Sequence, residues 1–353
     1  MPEIALASDS EYAVCRSSIR HGSKTFFAAS KLLPGPLRDP AYALYAFCRN
    51  ADDVIDIEAQ SIDGLNRLRD RLERAYAGAP LPLAIDRAFA DTVARHAIPK
   101  ALPLALLEGL EWDTQGRRYR TFSDLLAYGA RVAGAVGAMM TVLMGRRDAE
   151  TVARACDLGV AMQLTNIARD IGEDARNGRV YLPDVWLDEV GVCRQHLLQA
   201  PQHDRALARL VERLLAEAAQ LYRRATPGIA ALPLGCRPGI YAARYLYAEI
   251  GHEVARNACN AIDQRAVVNR RRKIAGLLTA VAAVLAAPRT AFDVQALPET
   301  HFLIEAVTGE PVPHHLCVPS VPEEPPLAGV ALMLEMFHRL EQREHMARAM
   351  QRT

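Results

Sequence analysis

A helix that turns two amides and two carboxylates to one side of an apolar stretch has few places to go in a fold except around a site. Residues 163–174 read QLTNIARDIGED, and Gln163, Asn166, Asp170 and Asp174 recur at i, i+3, i+7 and i+11, one helical face. The run Leu158–Leu164 leading into them has the look of a buried helix. Solvated faces mix Lys with Glu, whereas buried faces carry charge only when it is paired or bound to metal. A second such face lies earlier. Tyr45, Arg49, Asp52, Asp53 and Asp56 sit in the otherwise apolar Ala41–Asp56, the last four at i, i+3, i+4 and i+7. Carboxylates from two helices, with amide and arginine neighbours, suit Mg²⁺, a hard cation that takes oxygen ligands and leaves room for substrate phosphates. The competing reading is two buried Asp–Arg networks. One Asp-x-x-x-Asp alone reads equally as a salt-bridged face; two, each in an apolar helix, favour the metal.

No alternating β-branched run is bounded by Asn-Gly or Asp-Gly, and Ala, Leu, Arg and Glu dominate, so the chain reads as all-α. The patterns predict helices over Glu11–His21, Ile62–Ala77, Pro82–His96, Lys100–Thr114, Thr121–Met144, Asp148–Gly172, Arg205–Ala225, Pro238–Ile262 and Arg265–Ala287, with a short one around Val185–Val190. Asp39 and Pro40 read as N-cap and first helical residue of the helix that carries Asp52. Thr121 and Asp124 supply a cap for another. Residues 1–288 form one domain in this reading. Residues 289–326, with Pro311, Pro313, Pro322, Pro325 and Pro326, form a linker, and residues 327–353 a C-terminal amphipathic helix expected to dock on the core, with a membrane or partner surface as the other option.

With 353 residues, 50% of them hydrophobic, the chain has ample material for a large core. A net charge of +1 gives no field for nucleic acid. Seven scattered cysteines without metal spacing suggest reduced thiols in a cytoplasmic protein. The N-terminus lacks the pattern of a signal peptide, and the apolar run Ile274–Ala287, 14 residues, falls short of a bilayer span.

The stretches GSKTFFAASKLLP (Gly22–Pro34), YALYAFCRNADDVID (Tyr42–Asp56), YGARVAGAVG (Tyr128–Gly137) and QLTNIARDIGEDARNGRVYLP (Gln163–Pro183) resemble squalene and phytoene synthases, the head-to-head isoprenoid condensing enzymes. The resemblance spans about residues 12–288, and the wording is closest to the bacterial phytoene synthases. It implies an isoprenoid-synthase-like single-domain helical bundle around a central apolar cavity, with the Asp helices facing each other at its mouth. Asp52, Asp56, Asp170 and Asp174 would then hold Mg²⁺, or Mn²⁺ in its place, with Asn166 as a further ligand. Arg49 and Arg169 would supply fixed positive charge to diphosphate. Ser23 and Thr25 occupy the position of the family's phosphate-binding hydroxyls, although short hydroxyls before a helix equally cap it. Tyr45 and Tyr247 match tyrosines near the diphosphates, and Arg265 heads a basic cluster of which one arginine would reach phosphate. Val132, Ala133, Val136, Leu158 and Met162 match tunnel-lining positions. Gly137 belongs to a small-residue stripe with Ala130, Gly134, Ala138 and Thr141, which either admits a tail or lets helices pack closely.

By resemblance, two geranylgeranyl diphosphates would condense to phytoene through a cyclopropylcarbinyl diphosphate, the first committed step of carotenoid biosynthesis, without NADPH. The alternatives are a farnesyl diphosphate-using squalene, dehydrosqualene or presqualene diphosphate synthase, and, from other classes, a terpene cyclase or a non-catalytic assembly factor. A lipophilic product also allows peripheral association with the inner face of a membrane.

Overall fold

The computed structural model describes residues 7–57, 62–286 and 294–309. Among these no strand occurs. The first half comprises α1 (Asp9–Gly22), α2 (Lys24–Ser30), α3 (Gly35–Ile57), α4 (Ile62–Tyr76), α5 (Ala84–Arg95), α6 (Ala101–Thr114), α7 (Phe122–Gly129) and α8 (Ala135–Leu143). The second comprises α9 (Ala149–Arg176), α10 (Asp184–Val190), α11 (Arg194–Gln199), α12 (Arg205–Ala231), α13 (Arg237–Arg256), α14 (Arg270–Ala286) and α15 (His301–Thr308).

The central element is α9. The Asp148 side chain accepts the Thr151 N–H at 3.0 Å and so starts it, and the helix runs 28 residues, which keeps Asp174 on the helical face begun at Gln163. It packs along α12, α13 and α8, with Val160, Leu164, Ile167 and Ile171 buried. Thr121 and Asp124 form the expected capping box before α7.

Several expectations are corrected. The helix bearing Asp52 begins at Gly35, and Pro40 lies inside it; Asp39 turns to Arg16 at 2.9 Å instead of capping. The stretch foreseen as an unbroken helix from Thr121 contains a π turn at Ala130–Gly134, where one extra residue re-aims Val132 and Ala133. By length and composition Phe122–Leu143 is apolar enough to cross a membrane, yet 61% of its most apolar window is buried inside the protein. α12 runs past its expected end at Ala225, through Pro227 to Ala231, while the nearby Tyr222 carbonyl accepts from Thr226 Oγ1 at 3.0 Å and Arg244 Nε at 3.1 Å. The last long helix starts at Arg270, which leaves Arg265 in a loop. Residues 298–308, expected as linker, are helical and bury Leu303 and Val307 in the same core as α9. The amphipathic helix expected at 327–353 lies outside the described residues.

The small-residue stripe answers to close packing first. A Cβ at Gly137 would overlap the Ala155 carbonyl, and one at Gly159 the Ala133 carbonyl. The backbones of α8 and α9 therefore touch, and no rotamer change relieves such a clash. Gly159→Ala should lower stability by about 1–3 kcal/mol, read as a lower urea midpoint at unchanged m value.

Candidate active site

An apolar cavity of about 310 Å³ runs inward between α3, α8, α9, α12 and α13. On α9 its wall is one continuous stripe, Thr151, Arg154, Ala155, Leu158, Gly159, Met162, Gln163 and Asn166. The π turn and α8 contribute Val132, Ala133, Val136 and Gly137. Tyr45 and Tyr247 stand at the end nearest the Asp segments, and Cys48 and Phe26, not anticipated from sequence, stand beside them. Phe26 stacks on Tyr247 with ring centroids 4.9 Å apart. Burial pushes the Tyr45 hydroxyl and the Cys48 thiol each up to about 12, so both stay protonated.

Above this end stand the charged groups. On α3, Arg49 lies 3.4 Å from Asp52 and 2.5 Å from Asp53. The side chain of Asp56 lies outside the described residues. On α9, Arg169 pairs with the adjacent Asp170, and Arg265 reaches the same carboxylate at 2.9 Å from the loop before α14. Burial raises Asp170, but the hydrogen bonds and charges of Arg169 and Arg265 outweigh it and hold the group below the usual carboxylate range. Asp174 goes the other way. Burial, then the neighbouring charge of Asp170, lift it to about 7, against partial relief from Arg179.

Asp113 at the end of α6 escaped the sequence reading. Its carboxylate accepts from Tyr128 at 2.7 Å and Tyr181 at 2.8 Å. Burial raises it to about 6 despite those bonds, and the charge of Asp52 pushes the same way. Asp113 in turn raises Asp174, so its field links the α3 acid to the α9 acid. An Asp closing the largely apolar stretch Leu102–Trp112, which also carries Glu108 and Glu111, was the available signal.

Ser23 and Thr25 part company. Ser23 Oγ accepts the Phe26 N–H at 3.2 Å and caps α2. Thr25 lines a separate basic cavity of about 250 Å³ with Arg169, Arg265 and Lys273.

Among the described residues no three Asp, Glu, His or Cys side chains gather closely enough to enclose an ion. Two observations nevertheless fit a cation. Asn166 donates to the Tyr247 hydroxyl while its buried Oδ1 has no partner, and the Asp174 carboxyl sits in excess negative charge. Oxygen donors of this kind suit a hard divalent ion.

The model of the squalene/phytoene synthase family matches residues 19–272. The chain belongs to the squalene/phytoene synthase family. Members of this family are prenyltransferase-type enzymes that use prenyl diphosphates. The chain is 49% identical over 317 residues to a phytoene synthase of Cereibacter sphaeroides, covering 85% of this chain and 89% of that one. It is 51% identical over 272 residues to a phytoene synthase of Rhodobacter capsulatus, covering 76% and 80%. A dehydrosqualene synthase crystal structure, solved with a ligand, superposes with TM-score 0.73 at 32% identity, over 78% of this chain and 97% of that one. A squalene synthase from Alicyclobacillus acidocaldarius gives 0.65 at 26%, over 71% and 95%.

Both raised carboxyls bind protons more tightly folded than unfolded. Their contribution to stability is therefore full below the unfolded value of 3.8 and is lost as pH rises through about 6 and about 7. The metal-free protein in chelator should show a thermal midpoint that rises as pH falls from about 8 to about 6. Asp174→Asn should flatten that rise; an identical slope would mean that Asp174 is not held protonated.

Proposed function

We propose that the chain condenses two geranylgeranyl diphosphates head to head into phytoene, a step of carotenoid biosynthesis, with Mg²⁺ as its metal. The observation that carries the substrate length is the α9 stripe. From Asn166 to Arg154 the wall spans 12 residues, about 18 Å at 1.5 Å per residue. An extended carbon chain advances roughly 3.3–3.6 Å per three bonds. Each four-bond prenyl unit is then about 4.5 Å, so four units need about 18 Å and three about 14 Å. The tunnel accommodates the longer tail. The phytoene synthase relatives at 49% and 51% identity support the same choice.

Asp52, Asp56, Asp170, Asp174 and Asn166 would hold the metal, which when bound neutralises charge on the departing diphosphate. Arg49, Arg169 and Arg265, now paired with carboxylates, offer bidentate donors to the same anion. Phe26, Tyr45 and Tyr247 close the apolar cavity below them and keep water from the allylic carbon after its C–O bond breaks. That carbon alkylates the second substrate's double bond, and the resulting tertiary cation closes with loss of a proton to give a cyclopropylcarbinyl diphosphate, whose own loss of diphosphate, rearrangement and loss of a second proton yield the hydrocarbon. The lipophilic product favours peripheral contact with a membrane.

Purified protein given geranylgeranyl diphosphate and Mg²⁺ without NADPH should release a C40 hydrocarbon, identified by mass. A C30 product from farnesyl diphosphate alone would move the enzyme to the squalene branch. Asp170→Asn should lower kcat by about a hundredfold or more with the circular dichroism spectrum unchanged. A near-normal rate at saturating Mg²⁺ would remove Asp170 from the metal site.

A further inference from the structure

The inner end of the tunnel is not simply apolar. Thr141, Met144, Thr151 and Arg154 gather there, and the Thr151 hydroxyl is buried without a partner. Arg154 is 4% exposed and lies 3.2 Å from Asp157, which is wholly buried. Arg224 reaches that same carboxylate at 3.1 Å from α12. Both arginines also donate to the Gln295 carbonyl, at 3.3 Å and 2.8 Å. The stem of Arg154 fills the space left by Gly228, where a Cβ would overlap it.

A buried ion cluster is weak evidence for stability, because desolvation offsets most of the attraction. Its position is more telling. Arg154 lines the tunnel on one side and, on the other, a second cavity of about 470 Å³ bounded by Ala149, Gln295, His301 and Ile304. One pinned side chain stands between two spaces.

We propose that Arg154, held by Asp157 and the Gln295 carbonyl, is the partition that ends the prenyl tunnel and sets the longest tail it accepts. Held by the Asp157 carboxylate and the Gln295 carbonyl, the guanidinium cannot swing aside as a free arginine would. A tail that reached it would also press hydrocarbon against a charge whose remaining solvation is supplied by those partners. Removing the side chain joins the two cavities and makes room for a further prenyl unit. The idea rests on the prenyl-condensing reading above, which the wild-type C40 product tests separately.

The experiment compares wild type, Arg154→Ala and Ala155→Leu with diphosphates bearing three, four and five prenyl units, scoring hydrocarbon products by mass and kcat/KM. Arg154→Ala should raise the five-unit to four-unit preference by about tenfold or more, with a C50 product appearing. Ala155→Leu, which narrows the tunnel beside the partition, should lower the four-unit to three-unit preference by a similar factor. An Arg154→Ala enzyme that still condenses the four-unit substrate with an unchanged preference would overturn the proposal. Should that variant fail to fold, an unchanged preference in Ala155→Leu would overturn it instead.

Discussion

Repulsion among carboxylates crowded at one mouth is the interaction on which this molecule depends. Asp52 acts on Asp113, Asp113 on Asp174, and Asp170 on Asp174. Arg49, Arg169 and Arg265 neutralise part of this charge, and two protons on Asp113 and Asp174 absorb more as pH falls. Like charges side by side in partial burial oppose folding. Here the crowding, with burial, lifts Asp113 to about 6 and Asp174 to about 7. The phenols of Tyr128 and Tyr181 keep Asp113 inside the cluster.

Much of this was legible in the chain. The spacing of Gln163, Asn166, Asp170 and Asp174 survives because α9 runs unbroken past all four, and the caps at Asp148 and Thr121 act locally. What escaped the reading depends on distant partners. Pro40 reads as a first helical residue and Ala225 as the end of the helix before Pro227, yet both prolines lie inside longer helices. The π turn at Ala130–Gly134 has no residue signature, since any mix of small and apolar residues can host it. Asp113 stood alone in sequence and gained meaning only from Tyr128 and Tyr181. Residues 298–308 looked like linker because their eight-residue helix is too short to announce itself by periodicity.

The same glycines serve two ends. Backbone contact at Gly137 and Gly159 locks α8 and the π turn before it against α9, and Gly137 also lines the cavity. The tunnel is thus framed by a seam of main-chain contacts. Widening the tunnel at that seam is unlike repacking a side chain, because the atoms in the way belong to main chain.

The Gln295 carbonyl grips both arginines behind the tunnel through its main chain. Any amino acid at 295 presents the same oxygen, so selection acting on this latch leaves position 295 free to drift. Among homologues the trace of the latch would lie in the identities of 154, 157 and 224, while the residue they hold would look neutral.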